Sequence, residues 1–215
     1  MDAKEISQLL VPFVPAPGLN AKQLNHISMY IDILLRWNRK MNLTAVREPE
    51  EIVRRHFGES LFAARHLFAE RPDPTMRVID VGSGAGVPGL PLKIYAPAVH
   101  LTLIESHSRK AAFLREVIRA LKLTNAEVFA ARAEEFQGRA ELVTLRAVEK
   151  FERALPVAAR LVEPGGRIAL LIGVRQVELA RQALPDLVWN LPQSIPESAE
   201  RVLLVGGTRK GKNRL

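Results

Sequence analysis

The stretch Asp80–Pro91, DVGSGAGVPGLP, decides how the rest of the chain is read. It follows a short apolar run and carries glycine at 82, 84, 86 and 89. Glycines here permit tight turns and close backbone approach. Pro88 can open a helix, where its missing N–H costs nothing, and Pro91 still falls in the first turn. Two patterns overlap in these residues. Gly84-x-Gly86-x-x-Gly89 fits the dinucleotide-binding loop, whereas Asp80-x-Gly82-x-Gly84-x-Gly86 opens on a carboxylate and fits a different one.

Outward from the loop, the chain has the rhythm of an α/β protein. MRVIDV, VHLTLIES, AEVFAAR, ELVTLRA and RIALLIG are short apolar, partly β-branched runs separated by helical segments. In SRKAAFLREVIRALKL, residues Phe113, Leu114, Val117, Ile118 and Leu121 share one helical face. Such alternation predicts a mostly parallel sheet with crossover helices. After Pro185, LVWNLP and RVLLVGG read as two closing strands, the last antiparallel, for seven in all.

Upstream, residues 1–75 read as a helical extension. Leu24, Ile27, Ile31, Leu34 and Leu35 line one face of a helix that ends near MNLTAVREP. A second helix, about 49–69, carries Ile52, Val53, Phe57, Leu61 and Phe62, and ERPDPT then breaks the pattern. The expected division is 1–75 helical extension, 76–208 sheet domain and 209–215 basic tail.

Composition narrows the chemistry. The 215 residues include no cysteine, which excludes disulfides, thiolate metal sites and a cysteine nucleophile. No metal site is expected. The N-terminus is too acidic and its apolar run too short for a signal peptide. No uncharged run approaches the roughly 20 residues of a membrane helix. The expectation is a soluble, cytoplasmic monomer with no membrane partner. Of the net charge of +8, most lies in residues 201–215, which hold five basic and no acidic side chains. A basic tail either meets polyanions or serves solubility.

In an open parallel sheet ligands bind at the carboxyl ends of the strands, and the loop follows the first strand. Both loop patterns expect an acid after the second strand for ribose hydroxyls, and Glu105 supplies it, so that acid does not separate them. Asp80 does. Pyrophosphate wants backbone N–H groups and no carboxylate nearby. S-adenosylmethionine brings an ammonium and a sulfonium, which an acid attracts. The chain also lacks the second substrate domain usual in dinucleotide oxidoreductases. The loop therefore reads as a methyl-donor site built from Asp80, Gly82, Gly84, Gly86 and Val87.

Further residues follow from the same strand order. ARAEEF places Ala133 and Glu134 by the adenine, although Glu134 equally suits a helix N-terminus. VTLRAV places Arg146 at the pocket rim, or in a surface ion pair. Pyrimidine C5 methylation generally needs a cysteine and is excluded. Exocyclic-amine methylases commonly carry Asn/Asp-Pro-Pro-aromatic where this chain reads LRAV. Guanine N(7) has a free lone pair and loses no proton, so positioning can supply most of the acceleration. Arg36, Arg39 and Lys40 either contact RNA or complement a helix end. Asn38 and Asn42 cap a turn or touch a ligand, and His56 is structural or catalytic. Trp37 and Phe57 are core residues or stacking platforms.

LLRWNRKMNLTAV, RRHFGESL, DVGSGAGVPGLPLKI, RKAAFLREV, ARAEEF and VTLRAV, occurring in this order from about Leu35 to Ile172, resemble the RsmG (GidB) family. These are bacterial 16S rRNA (guanine(527)-N(7))-methyltransferases. The resemblance implies a Rossmann-like S-adenosylmethionine-dependent methyltransferase fold with an N-terminal helical extension, acting on the small ribosomal subunit. It implies donor contacts at Gly82, Val87, Glu105, Ser106, His107, Ala133, Glu134 and Arg146. RNA would meet Arg36, Arg39, Lys40, Arg146 and the tail residues Arg209, Lys210 and Lys212; no catalytic side chain is assigned. Val87 stands where the family has a bulkier aromatic, Glu59 replaces the commoner Asp, and VGGTRKGKNRL departs from the usual Lys-Tyr-Pro-Arg-like ending. Other readings are an RNA-binding assembly factor with a relict pocket, a small-molecule methyltransferase and an oxidoreductase.

Overall fold

The computed structural model describes residues 1–68, 73–147 and 151–208. The chain opens on α1 (Ala3–Leu10) and α2 (Ala21–Asn38). Both start on reciprocal caps: Asp2 with Glu5, and Asn20 with Gln23, each side chain accepting the other residue's backbone N–H. A continuous helical run follows in three pieces, α3 (Pro49–Ile52), a π-helical turn (Val53–Gly58) and α4 (Glu59–Leu67). The apolar spacing of residues 49–69 predicts one regular helix there, and α1 lies within the predicted helical extension without bounds of its own in the sequence pattern.

The strands are β1 (Arg77–Val81), β2 (His100–Ile104), β3 (Ala126–Phe129), β4 (Ala140–Arg146), β5 (Val162–Gly173), β6 (Val188–Trp189), β7 (Gln193–Ser194) and β8 (Arg201–Gly207). Their order is β3-β2-β1-β4-β5-β8-β6, with β7 pairing β8. The first five are parallel, and β8 runs antiparallel to β5. The sheet thus has one two-residue strand, β7, more than the seven expected.

Helices α5 (Gly89–Tyr95), α6 (Ser108–Ala120), α7 (Phe151–Arg160) and α8 (Gln176–Ala183) connect the strands. Alternate side chains separate the two faces of the sheet. Val78, Leu101, Leu103, Leu142 and Leu171 join α1, α2, α4, α5 and α6 in one core. Ile79, Val81, Val143, Leu145 and Leu170 meet α7 and α8 in the other. Covering on both faces explains why the central strands read as near-continuous apolar runs. Of the face expected on α2, Ile27, Ile31 and Leu34 are buried, and Tyr30, absent from that expectation, is buried with them. The N-terminal helices therefore share their core with the sheet. Among the described residues no helix is long and apolar enough to cross a membrane.

Candidate active site

Order reverses between β1 and β4, so the loop after β1 lies at the switch point where parallel sheets open a crevice. Strand β1 ends at Val81, and Gly82 and Ser83 extend its register by donating backbone N–H groups to the Ile104 carbonyl. The chain then turns through Gly84 at φ +54° and Gly86 at φ +82°, left-handed values that favour glycine. A Cβ on Gly86 would collide with the Tyr30 hydroxyl and lie 2.6 Å from Leu90 Cδ1. A Cβ on Gly84 would meet only the Gly82 carbonyl, at 3.8 Å. Gly86 is thus packed against the core, while Gly84 faces open space.

The loop is braced from both sides. Tyr30 donates its hydroxyl to the Ala85 carbonyl from α2. Glu105, at the end of β2, accepts from Gly84 N–H at 2.9 Å and from His107 N–H at 2.8 Å. Its oxygens keep lone pairs beyond these bonds. Ser106 and His107 are exposed, His107 as the N-cap of α6. Val87 is packed partly buried against the core.

Asp80 lies beneath the loop and is 1% exposed. One carboxylate oxygen accepts from the Thr144 hydroxyl at 2.7 Å and the other from Gly89 N–H, the first residue of α5, at 3.3 Å. Burial pushes its pKa up to about 6, against which these hydrogen bonds work. An Asp80 carboxylate here acts on the crevice through space.

Ala133 and Glu134 form a single 3-10 turn, Glu134 exposed. Arg160 of α7 holds that turn by donating to the Ala133 and Glu134 carbonyls at 3.1 and 3.0 Å. Sequence reasoning missed Arg160, and nothing local to it signals that role.

Arg146, expected at the pocket rim or in a surface ion pair, closes β4. It is buried, and Nη2 donates to Glu59 Oε2 at 2.9 Å and to the Arg55 carbonyl at 2.6 Å. Arg201 Nε lies 3.1 Å from the same Glu59 oxygen. His56 faces Arg146 Nη1 at 3.4 Å through Nδ1 and Thr44 Oγ1 at 2.8 Å through Nε2. An arginine can only donate, so Nδ1 accepts and the imidazole is the neutral Nε2–H form. Burial, with Arg146, Arg55 and Arg201 around it, lowers the His56 pKa to about 3. Burial also lowers that of Arg146, to about 10, leaving it charged at neutral pH. Two guanidinium groups thus share one carboxylate beside a neutral histidine, and Nε of both arginines is buried without a hydrogen-bond partner. Ala147, the next residue, holds a left-handed φ of +48°. A cavity of about 540 Å³ opens alongside, lined by Arg55, Ala147, Gly173, Gln176 and Arg201 among others.

The remaining readings resolve unevenly. Asn38 caps the turn after α2, accepting from Leu43 and Thr44 N–H at 2.9 and 3.1 Å. Phe57 is core, edge-on to Tyr30 with centroids 5.1 Å apart. Arg36 pairs with Glu116, and Arg39 and Lys40 are exposed. Arg209, Lys210 and Lys212 lie outside the described residues.

The crevice fits S-adenosylmethionine. It offers an open backbone at Gly84, a carboxylate at Glu105 and a buried acid at Asp80. Fold and site together define a Rossmann-like, S-adenosylmethionine-dependent methyltransferase. Solved structures share the fold: a SAM-dependent methyltransferase from Aquifex aeolicus matches at TM-score 0.57 and 14% identity, over 74% of this chain and 93% of that one. TYW2 of P. horikoshii, in complex with MeSAdo, matches at TM-score 0.56 and 19% identity, over 69% of this chain and 62% of that one. The GidB family model, rRNA small subunit methyltransferase G, matches residues 23–190, and the chain belongs to that family. Ribosomal RNA small subunit methyltransferase G of Xanthomonas campestris pv. campestris is 37% identical over 172 residues, 79% of this chain and 78% of the relative.

Proposed function

We propose that this protein transfers a methyl group to N(7) of guanine 527 in 16S rRNA. Family membership supports the ribosomal RNA substrate. The observation that supports N(7) is the commitment of three buried titratable groups, Asp80, Glu59 and His56. Asp80 is bonded to Thr144 and Gly89, Glu59 to Arg146, and His56 presents its lone pair to Arg146. None of these three is free to remove a proton, Glu105 would be taken up by the ribose, and N(7) attack requires no proton removal.

S-adenosylmethionine, when bound, supplies an electrophilic methyl on a positively charged sulfur. Gly82, Gly84, Gly86 and Val87 would hold it with backbone groups, Glu105 would accept from ribose hydroxyls, and Ser106, His107, Ala133 and Glu134 would flank the nucleoside. Asp80 favours positive charge in the crevice from below. Arg146, held by Glu59 and the Arg55 carbonyl, carries positive charge at the β4 end where an RNA nucleotide would enter. Acceleration then comes from orienting the purine nitrogen in line with the methyl. Arg36, Arg39, Lys40 and the tail residues Arg209, Lys210 and Lys212 would meet phosphates.

The test is transfer of labelled methyl to small subunits lacking the modification, followed by mapping of the nucleotide. Label on N(7) of guanine 527 is expected. Label at another position, or donor binding without transfer, overturns the proposal.

A further inference from the structure

A groove of about 330 Å³ lies between the end of α2 and the first turns of α6, lined by Arg36, Trp37, Lys40, Met41, Arg109 and Glu116. Its volume is within the roughly 300–1,000 Å³ of small-ligand clefts. Both oxygens of Glu116 have partners: one pairs with Arg36, and the other accepts from the Trp37 indole N–H at 2.9 Å. These bonds neutralise the one acid of the groove and fix the indole, which also packs edge-on against Phe113 with centroids 5.8 Å apart. Lys40 and Arg109 remain, and among the described residues neither has an ion-pair partner. The groove therefore joins a fixed aromatic ring and a methionine to two uncompensated cations.

Arg109 ties this groove to the donor crevice. It follows His107, the N-cap of α6, by two residues, and Glu105 by four. A strand of nucleic acid with one nucleotide at the crevice would bring a neighbour across the α6 start to the groove. Bases stack on aromatic rings, and phosphates between them need cations.

We infer that this groove is a nucleotide subsite, in which a base of single-stranded RNA beside the target nucleotide stacks against Trp37 while its phosphates meet Lys40 and Arg109. The inference rests on the RNA reading of the substrate, but not on the position methylated.

Trp37 reports its own occupancy. In a Trp189→Phe background it is the only tryptophan of the chain. Titration with a ten-nucleotide oligoadenylate should quench its fluorescence saturably, and less so as salt rises. Adding Lys40→Gln and Arg109→Gln should weaken binding and flatten the salt dependence by about 0.7 log units per lost contact, or ~1.4 in all. A separate Trp37→Leu variant, followed by filter binding of unmodified 16S rRNA, should lose about tenfold or more in affinity, with Trp37→Phe restoring most of it. An unquenched Trp37 overturns the inference, as does an unchanged salt slope in the double variant with an unchanged thermal midpoint. A groove built instead for a protein partner would give those same two outcomes. If quenching occurs while labelled methyl transfer fails, the subsite stands and the methylation reading falls.

Discussion

Asp80 and His56 are displaced from their ordinary pKa values in opposite senses for their chemical types, and each leaves a distinct signature in stability. Burial raises Asp80 from 3.8 to about 6, so the fold prefers it protonated. Its contribution is complete below pH 3.8 and is lost as pH rises through about 6, about 3 kcal/mol at 1.36 kcal/mol per unit. His56 is lowered from 6.5 to about 3, so the fold prefers it neutral. Its contribution is present above pH 6.5 and is lost as pH falls toward 3, about 5 kcal/mol as an upper bound. Urea unfolding from pH 4 to 7 should show these trends cancelling in part. Asp80→Asn removes the loss on the alkaline side and His56→Gln the loss on the acid side, whereas profiles parallel to wild type would refute both. Calorimetry adds a functional reading: S-adenosylmethionine should bind more weakly as pH falls through about 6, and the Asp80→Asn variant should bind weakly at every pH. Glu59 answers to a third measurement. Removing its charge leaves the buried Arg146 guanidinium, and the partly exposed Arg201 beside it, without a counterion, so Glu59→Gln should cost about 3 kcal/mol in urea unfolding. A loss below 1 kcal/mol would show that solvent reaches the cluster.

Two elements carry these residues to their places, the glycine loop and the π-helical turn. In the loop, neighbouring glycines have different duties. Gly84→Ala meets no obstacle and bears mainly the left-handed backbone cost, about 1–2 kcal/mol. It should fold, yet bind S-adenosylmethionine at least tenfold more weakly, because the methyl occupies the open side. Gly86→Ala drives a methyl into Tyr30 and Leu90 and adds strain at φ +82°, so the chain should lose several kcal/mol, seen as a fall in thermal midpoint. Equal stability in the two variants would contradict this division. The π turn at Val53–Gly58 inserts into the helix before Glu59 and sets His56 and Glu59 against Arg146 of β4 and Phe57 against Tyr30 of α2, all buried. Irregular turns of this kind occur frequently at functional sites. Its sequence, VRRHFG, contains no proline and only a terminal glycine, which is why the apolar spacing of residues 49–69 reads as one regular helix.

The molecule as a whole is held by a core that the N-terminal helices share with one face of the sheet. Trp37 stands on the helical side and Trp189 on β6 at the far edge of the sheet, so they sample opposite ends of the structure. With Trp189→Phe and Trp37→Phe variants, each retaining one tryptophan, fluorescence melts should follow far-UV circular dichroism, with one transition per variant. Separate transitions would mean that residues 1–68 fold independently of the sheet.

Read along the chain, β1 to β5 and the glycine loop were legible because buried strands and tight turns leave local patterns: short apolar runs, glycine at left-handed positions, an acid at the end of β2. The family resemblance rests on that loop and the β3 and β4 ends together with the helical segments LLRWNRKMNLTAV, RRHFGESL and RKAAFLREV. Helix α1 lies inside the stretch that reads as helical but has no bounds of its own there, because Ile6, Leu9 and Leu10 span little more than one turn, and β7 escaped because Gln193–Ser194 has no apolar side chain. Arg146 was found as a residue but not as a buried one. Its burial depends on Glu59, 87 positions earlier, and on Arg201, which shares that carboxylate. Periodicity is a property of neighbours in the chain, so it can announce strands, helices and the turn that receives a ligand. Charge compensation and aromatic packing join residues that only folding brings together, and those pairings exist in no local stretch. The fold class and the donor loop were therefore written in the linear order of residues, while the state of each charge around the crevice was settled by tertiary structure alone.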